Sequence, residues 1–458
     1  MTSRYLGQIK ATDELREAIQ VGPYPGVGSG DLDLSEVFAW RFTQLINDQG
    51  TLGVVLPRSV LISDGTKEWR QRVLARSSAE LTQLINSGRW VFPDVHPQYS
   101  ICLLVLSAAA GGPEQIMTMA GPFHDLDEFR SGVQMEALSV TAADILEWNE
   151  DAAIPRLPDA GSLRVFVRLR AHPALTSPDQ PWSVRIYNEF HSTADKVERG
   201  GPVHVEAKVA DGAWPVYKGE TFGMWEPGAG LVYGWAMPDE ALSYLVAKRK
   251  TQVRNRRSPF FGLPASWASD PSAQPANRSR VAWRKVGRAN DTRSFHAVLL
   301  PPSAFTADHN YCLFFDGSRP ESLEAFVLGI MCSVPFDWYA RLWVEANFTK
   351  AVVQPFPLPG ARADTTVGKR LIEQAARLAA VDDRYSDWAE AVGVGAGHLR
   401  DPIERADAIA ELDALSALLY GLEWPDVQHI FKTFHRGWDY SDRIEAVERH
   451  YRAWGGNA

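Results

Sequence analysis

The 458-residue sequence contains little cysteine and no long apolar stretch. Its three cysteines, Cys102, Cys312 and Cys332, are odd in number and far apart, so we expect neither a disulfide framework nor a zinc site. No run of about 18 apolar residues occurs, and the N-terminal segment is polar and unlike a signal sequence. These absences predict a cytoplasmic protein in a reducing setting.

Motifs of several enzyme classes are also missing. The eleven histidines show no H-x-x-x-H or Cys–His spacing, so we expect no metal site. His191, Ser192 and Asp195 are close together, but no nucleophile elbow surrounds them. No acidic pair has the spacing of a restriction nuclease in a convincing context, so we expect the chain not to cut DNA.

Charge is distributed unevenly along the chain. The net charge is −9, yet the segment from Lys248 to Arg293 contains twelve basic residues, opposed in that segment only by Asp270 and Asp291. Several aromatic residues are interleaved with them. For any single arginine, a solvated face or an ion pair with the acidic remainder is the better interpretation. For the cluster as a whole, phosphate binding is favoured, because few counter-charges lie nearby in sequence.

The first hundred residues show an α/β pattern. Asp33 is a candidate N-terminal cap of a helix, because Glu36 follows it three residues later. Gly50 is expected to end that helix. The apolar residues 52–56 then predict a buried parallel strand ending at Pro57. A helix over residues 67–75 and a strand over residues 101–106 complete a β-α-β pattern. Only about 30 residues precede the first helix, so we expect roughly the second half of a sheet.

The remainder divides by composition. Residues 142–148 are predicted to be helical, and so are residues 321–343, with a break near Pro335. Residues 155–360 are rich in tryptophan, tyrosine, glycine and proline, with short alternating runs such as 165–167, which predicts a mixed α/β region. After residue 360, apolar residues recur at helical spacing, with a stop at Gly421. We therefore expect four parts, residues 1–115, 116–154, 155–360 and 361–458.

Several segments, in order, resemble a known family. GTLGVVLPRSVL at residues 50–61 and VFPDVHPQYSICLLVL at residues 91–106 are similar to the second half of the catalytic domain of adenine-specific N6 DNA methyltransferases. The closest subgroup is the type IIG-like and phage-exclusion enzymes, which join this domain to a target recognition domain. WSVRIYNEFHSTADK, PVYKGETFGMW, the arginine-rich residues 278–302 and LEAFVLGIMCSVPFDWYAR resemble the recognition domain, and ELDALSALLYGLEWPDVQHIF resembles the helical end of such enzymes.

The resemblance implies an α/β fold with a partial methyltransferase-type, Rossmann-like sheet as residues 1–115. A connecting segment, a mixed α/β target recognition domain and a helical C-terminal domain would then follow. The family binds S-adenosylmethionine on a Gly-rich turn and holds the target adenine in an (Asn/Asp)-Pro-Pro-(Tyr/Phe) loop. No Gly-rich turn follows an apolar strand upstream of Leu34, and Gly22-Pro23-Tyr24-Pro25 lacks the initial Asn or Asp. We therefore expect no catalytic and no cofactor-binding residue in this chain.

Together these observations predict the DNA target-recognition half of a split or truncated N6-adenine DNA methyltransferase from a restriction-modification or phage-defence system. A partner chain would supply the S-adenosylmethionine site and the N-P-P-Y loop, and the partner molecule would be double-stranded DNA. The alternatives are a stand-alone DNA-binding specificity module without methyl transfer and a non-functional gene remnant. The residues predicted to bind DNA are Tyr217, Lys218, Lys248, Arg249, Arg254, Arg256, Arg257, Arg278, Arg280, Arg284, Lys285, Arg288 and Arg293.

Overall fold

The computed structural model describes residues 2–27, 33–97, 99–108, 112, 114–205, 211–289, 291–316, 321–397, 399–435 and 437–457. The fold is mixed α/β, with open sheets and a helical C-terminal region. The chain divides into two compact units, Met1–Leu163 and Arg164–Ala458, and the division falls within one helix.

The first unit contains a five-stranded sheet and several helices. In chain order its elements are α1 (Thr2–Gln20), α2 (Leu34–Leu45), β1 (Thr51–Pro57), α3 (Lys67–Arg76), β2 (Ser77–Ile85), β3 (Ser100–Ala108), β4 (Ile116–Phe123), α4 (Leu126–Gly132), β5 (Leu138–Thr141) and α5 (Ala142–Trp148). Helix α6 (Ala160–Arg170) spans the division between the two units. Residues 165–167, predicted as a short alternating run, therefore lie in a helix.

Helix α2 begins where its sequence predicts. The Asp33 side chain accepts a hydrogen bond from the Ser35 backbone N–H at 2.8 Å, which satisfies one of the unpaired donors of the first turn. Helix α3 covers the predicted residues 67–75 and extends one residue further. Helix α5 matches its prediction to the residue, with Thr141 and Asp144 forming a capping box.

The sheet of the first unit has the strand order β1-β3-β2-β4-β5. Strand β3 is antiparallel to both β1 and β2, whereas β2 and β4 are parallel. The prediction that residues 52–56 form a buried parallel strand is therefore wrong in two respects. Strand β1 pairs with an antiparallel neighbour, and it lies at the end of the sheet among the described strands, with Val55 53% exposed.

Strand β2 has no counterpart in the sequence prediction. Its polar residues, including Glu80, Thr82 and Gln83, interrupt the apolar pattern that marks a central strand. Leu81 nevertheless lies buried opposite Leu104 of β3, so the strand is placed in the sheet by its partners on both sides. In place of the predicted β-α-β unit, the chain order is β1-α3-β2-β3. In the sheet, β3 lies between β1 and β2 and is antiparallel to both.

The second unit begins with two small sheets and two helices. Its elements are β6 (Val184–Tyr187), β7 (Trp214–Tyr217), β8 (Gly234–Ala236), α7 (Pro238–Gln252), α8 (Ala265–Ser269), β9 (Arg280–Arg284), β10 (Ala297–Leu300), β11 (Phe305–Thr306) and β12 (Asn310–Phe315). One sheet has the antiparallel order β10-β9-β12-β6. The other has the order β11-β7-β8, with β11 parallel to β7.

The rest of the second unit is helical, as predicted. Its helices are α9 (Glu321–Met331), α10 (Val334–Trp343), α11 (Lys350–Val353), α12 (Thr366–Ala379), α13 (Ser386–Val392), α14 (Pro402–Leu419), α15 (Trp424–Phe434) and α16 (Ser441–Trp454). The predicted break near Pro335 separates α9 from α10, where Ser333 caps the second helix. Gly421, at φ +71°, follows α14 as predicted.

Among the described helices, no single one is long and apolar enough to cross a membrane. By length and composition alone the bent pair α9–α10 passes such a test together. Both helices carry long runs of side chains buried within the protein. Such burial is the pattern of a core helix pair.

Candidate nucleic-acid interface

The thirteen residues predicted to bind DNA all lie in the second unit, but they do not share one surface. Three of them are buried, namely Tyr217, Arg249 and Arg280. Others are half-buried and have partners within the protein. The exposed members are Arg254, Arg256, Arg257, Arg278 and Arg288.

Arg280 is a structural residue of the sheet core. It begins β9, which lies between β10 and β12, and its side chain is only 2% exposed. Its Nη2 donates to Glu189 Oε2 at 3.2 Å and to the Ala304 carbonyl at 2.7 Å. A buried guanidinium needs such partners, because an unpaired charge in the interior is strongly destabilising. The prediction that Arg280 faces DNA phosphates is therefore wrong.

The prediction that Arg249 and Tyr217 contact DNA is wrong as well, because both side chains are buried. The Arg249 guanidinium lies 4.0 Å from the centre of the Phe260 ring, and its Nη1 donates to Gln252 Oε1 at 2.6 Å. Burial lowers the pKa of Arg249 to about 10. Tyr217, at the end of β7, is 4% exposed and belongs to the same apolar core as Phe260. Neither side chain is available on the surface.

Arg293 and Lys248 are committed to carboxylates. Arg293 Nε donates to Asp337 Oδ2 at 2.7 Å, and its Nη2 donates to the carbonyls of Cys332 and Ser333. Lys248 Nζ donates to Asp195 Oδ2 at 2.7 Å. Burial alone would raise the pKa of Asp195, but hydrogen bonds from Lys248 and other donors outweigh it and lower that pKa. These cations therefore hold the fold together.

The remaining half-buried basic residues lie where β7 and β9 end. Arg284 Nε donates to the Phe222 carbonyl at 2.6 Å. Lys218 lies 3.8 Å from Glu220 and 5.0 Å from the centre of the Tyr233 ring. Lys285 is half-buried, and its backbone N–H donates to the His309 carbonyl. Lys218 and Lys285 remain predictions as DNA contacts at this end of the two sheets.

Arg254, Arg256 and Arg257 lie on one compact loop that follows helix α7. We name residues 253–262 the arginine loop. The Gly262 N–H donates to the Val253 carbonyl at 3.1 Å and closes the loop, with Gly262 at φ +82°. Within the loop, the Asn255 side chain accepts from the Arg257 N–H at 3.0 Å, forming a turn typical of asparagine.

Two contacts fix the arginine loop to the sheet beneath it. Phe260 is 1% exposed and packs edge-on against Tyr187 of β6 and Phe314 of β12. Arg185 Nη1 donates to the carbonyls of Pro259 and Phe261 at 2.9 and 2.7 Å. Arg185 is itself held by Asp316, whose Oδ2 accepts from its Nε and Nη2. The loop is thus anchored at its centre and closed at its ends.

The charge of the arginine loop is not neutralised within the described part of the chain. None of Arg254, Arg256 and Arg257 has a carboxylate within 4.0 Å there, and all three are exposed. Lys250, in the last turn of α7, is exposed as well. Four cations therefore lie within eight residues, and three of them are on the anchored arginine loop. Guanidinium groups presented in this way suit phosphate oxygens, which they bind with two parallel hydrogen bonds.

Sequence reasoning missed the acidic partners because they are distant in the chain. Glu189, Asp195 and Asp337 pair with Arg280, Lys248 and Arg293, respectively, and none of the three lies in the basic segment itself. It also missed Arg185, which lies outside that segment and fixes the arginine loop. The alternation of residues along Val184–Tyr187 could have indicated the position of Arg185, since a strand there places Arg185 and Ile186 on opposite faces.

His296 lies near the same structural cations. Burial, and then the neighbouring positive charge of Arg284, lowers the pKa of His296 to about 4. In the described ranges, no group of three or more His, Cys, Asp or Glu side chains is arranged to hold a metal ion. His191 Nε2 lies 3.8 Å from Asp308, and the Ser192 N–H donates to that carboxylate, so these residues form a local polar network.

No protein-family model matches the sequence. No curated protein matches it either. Among solved structures, the chain is similar to the type IIL restriction-modification enzyme MmeI in complex with DNA, at 12% identity and a TM-score of 0.46, over 96% of this chain and 55% of that one. It is also similar to the type IIG restriction endonuclease BpuSI, at 14% identity and a TM-score of 0.30, over 88% of this chain and 51% of that one.

A third similar structure is the ATP-dependent type ISP restriction-modification enzyme LlaBIII bound to DNA, at 10% identity and a TM-score of 0.37. The match covers 82% of this chain and 28% of that one. The chain therefore spans about half, or less, of the length of the solved proteins that it matches.

Proposed function

We propose that this chain is the DNA target-recognition half of a split or truncated N6-adenine DNA methyltransferase, acting in the cytoplasm in a restriction-modification or phage-defence system. The observation that carries the DNA-binding part is the arginine loop, where Arg254, Arg256 and Arg257 are exposed, unpaired within the described residues and held on a fixed support. Phosphate contacts from such residues position a protein on the duplex.

Rigid anchoring makes the arginine loop more suitable for binding. Association costs free energy when side chains and loops become ordered. The Phe260 anchor and the two hydrogen bonds from Arg185 order the loop backbone before any ligand arrives. Only the arginine side chains then remain to be fixed on phosphate. The buried arginines of the basic segment, Arg249 and Arg280, cannot take this role, since their side chains are not accessible at the surface.

Two observations support the methyltransferase part of the proposal. The segments at residues 50–61 and 91–106 resemble the second half of an N6-adenine methyltransferase catalytic domain. Strand β1, at residues 51–57, is an edge strand among the described strands, with one row of backbone groups open to a further strand. A partner carrying the S-adenosylmethionine site and the N-P-P-Y loop would extend the sheet at this edge.

Salt dependence of DNA binding tests the first part. We expect the chain to bind duplex DNA, and Arg254→Ala/Arg256→Ala/Arg257→Ala to weaken binding to all sequences. If each arginine contacts one phosphate, the slope of log K against log salt falls by about three in magnitude. The matched control is Arg384→Ala/Arg449→Ala/Arg452→Ala, which removes the same charge from arginines that pair with their own carboxylates. Equal slopes for the two triple variants would refute the role of the arginine loop.

Methyl transfer tests the second part. The purified chain is expected to transfer no label from S-adenosylmethionine to DNA. Addition of a chain that carries a Gly-rich turn and an N-P-P-Y loop is expected to produce N6-methyladenine, because methyl transfer requires the donor and the amine to be held in line. If the chain binds DNA but no added chain produces N6-methyladenine, the chain is a stand-alone DNA-binding specificity module. Methylation by the single chain would contradict the proposal outright.

A further inference from the structure

A cavity of about 350 Å³ opens beside the arginine loop in the second unit. Its walls include Leu263, Trp267 and Phe314, and its polar lining includes Arg278, Ser279 and Asp316. The volume lies within the range of pockets that hold small organic ligands. The walls are mainly apolar and aromatic, with a few polar groups that could orient a bound molecule.

The aromatic wall is fixed in position. Trp267 stacks on Phe260 of the arginine loop, with ring centres 5.3 Å apart, and its ring centre lies 5.4 Å from that of Phe314. Trp267 and Phe314 are nevertheless only partly buried, so ring surface remains accessible. A planar ligand gains most from such a surface, because stacking requires a rigid flat partner.

The charged groups of the cavity favour an anionic ligand. Arg278 is exposed, and within the described residues its guanidinium has no hydrogen-bond or ion-pair partner. The one carboxylate of the lining, Asp316, is already paired with Arg185. Arg280, which also lines the cavity, is balanced by Glu189. Among the described residues that line the cavity, Arg278 is therefore a cation without an internal partner beside an aromatic wall.

From this combination we infer that the cavity binds a nucleotide, with the base stacked against Trp267 and the phosphate on Arg278. Asp316 Oδ1 can accept a hydrogen bond from an exocyclic amine, since only Oδ2 is engaged by Arg185. The nucleotide is either an unstacked residue of bound DNA, which rests on the proposed function, or a free mononucleotide. Both sources present the same chemistry, an aromatic base next to a phosphate.

The first experiment uses the chain with the four deoxynucleoside monophosphates, measured by calorimetry. We expect binding of at least one, no comparable binding of inorganic phosphate, and about tenfold weaker binding by Trp267→Ala, since stacking contributes strongly to affinity for a base. Arg278→Ala, which removes an exposed side chain without disturbing the aromatic packing, is expected to weaken binding several-fold. Trp438→Ala, at a tryptophan that is 55% exposed elsewhere, is the control and should have no effect.

The second experiment distinguishes the two sources. Duplexes containing 5-iododeoxyuridine are cross-linked to the chain by light, and the modified residue is identified by mass spectrometry. A cross-link at Trp267 that Ala273→Phe abolishes by filling the cavity assigns the site to an unstacked residue of DNA. Mononucleotide binding without that cross-link assigns the site to a free nucleotide.

Absence of both signals overturns the inference. The arginine-loop variant keeps this result separate from the proposed function. If the chain binds DNA with the expected dependence on Arg254, Arg256 and Arg257 but shows no Trp267 cross-link and no mononucleotide binding, only the cavity inference fails. If DNA binding itself is independent of the arginine loop, the proposed function fails, while mononucleotide binding still decides the cavity.

Discussion

Two neighbouring stretches of the chain each contain several arginines, and the arginines of the first lie in a different environment from the buried ones of the second. In the arginine loop, Arg254, Arg256 and Arg257 extend into solvent without a carboxylate partner in the described structure. In the stretch from β9 to β10, Arg280 and Arg293 turn inward and pair with Glu189 and Asp337. The difference arises from the backbone that carries each residue. A closed loop projects its side chains, whereas an interior strand and the segment packed on α10 enclose them.

The comparison shows how basic residues in one segment can divide between two functions. The inward arginines satisfy backbone carbonyls and buried carboxylates, so their contribution is to stability and to a unique arrangement of the sheet. The outward arginines contribute nothing comparable to packing, so their positive potential remains available to a polyanion. Substitutions of the inward arginines or their partners should therefore lower stability, and substitutions of the outward arginines should weaken DNA binding.

The largest effect is expected at the buried pair. Glu189→Ala leaves Arg280 charged and unpaired in the sheet core, and it also removes the acceptor for the Thr306 N–H at 2.8 Å. We expect a loss of about 3–5 kcal/mol in the free energy of unfolding, measured by urea denaturation. Glu373→Ala, which removes an exposed partner of Arg370 at 2.9 Å, is the control and should cost about 1 kcal/mol or less. Similar losses would mean that Arg280 is effectively solvated.

The second largest expected effect is the change in the free energy of unfolding with pH. The pKa of His296 falls from its ordinary 6.5 to about 4 in the folded protein, chiefly through burial. The stability that neutral His296 allows is therefore fully present above pH 6.5 and is lost as the pH falls toward 4, because between these values only the unfolded chain binds the proton. The loss should reach roughly 3 kcal/mol. His296→Gln should make the stability profile between pH 6.5 and 4 shallower by that amount, and an unchanged profile would contradict the burial argument.

Arg185→Met tests the support of the arginine loop, because it disturbs that support without removing a loop arginine. The variant loses the hydrogen bonds to the Pro259 and Phe261 carbonyls and the pair with Asp316. We expect a stability loss of about 2 kcal/mol. We also expect weaker DNA binding with an unchanged salt slope, since the phosphate contacts remain but the loop is less ordered. A flattened slope would instead make Arg185 a phosphate contact.

The smallest effect on stability is expected in the arginine loop itself. Arg254→Ala/Arg256→Ala/Arg257→Ala should change the free energy of unfolding by only about 0.5 kcal/mol, because exposed side chains without partners contribute little. The same variant is expected to show the flattened salt slope in DNA binding. A loss of more than about 2 kcal/mol would place these arginines with the structural set and end the contrast between the two stretches.

Local signals in the sequence determined much of the secondary structure. Asp33, Thr141 and Ser333 cap α2, α5 and α10, and Gly421 ends α14, because caps and stops act through backbone groups a few residues away. The helical spacing of Val367, Leu371 and Leu378 likewise predicted a buried face, which the structure confirms. The excess of basic residues after Lys248 was visible in the sequence as well.

Tertiary structure alone decided strand order and the fate of each arginine. The apolar run in β1 is compatible with a central or an edge strand and with a neighbour in either direction, so the antiparallel pairing with β3 could not be predicted from it. Whether a guanidinium is free depends on acids that are remote in sequence, as Glu189 is from Arg280. Electrostatic pairing acts through space, and only the folded chain brings those groups within a few ångströms.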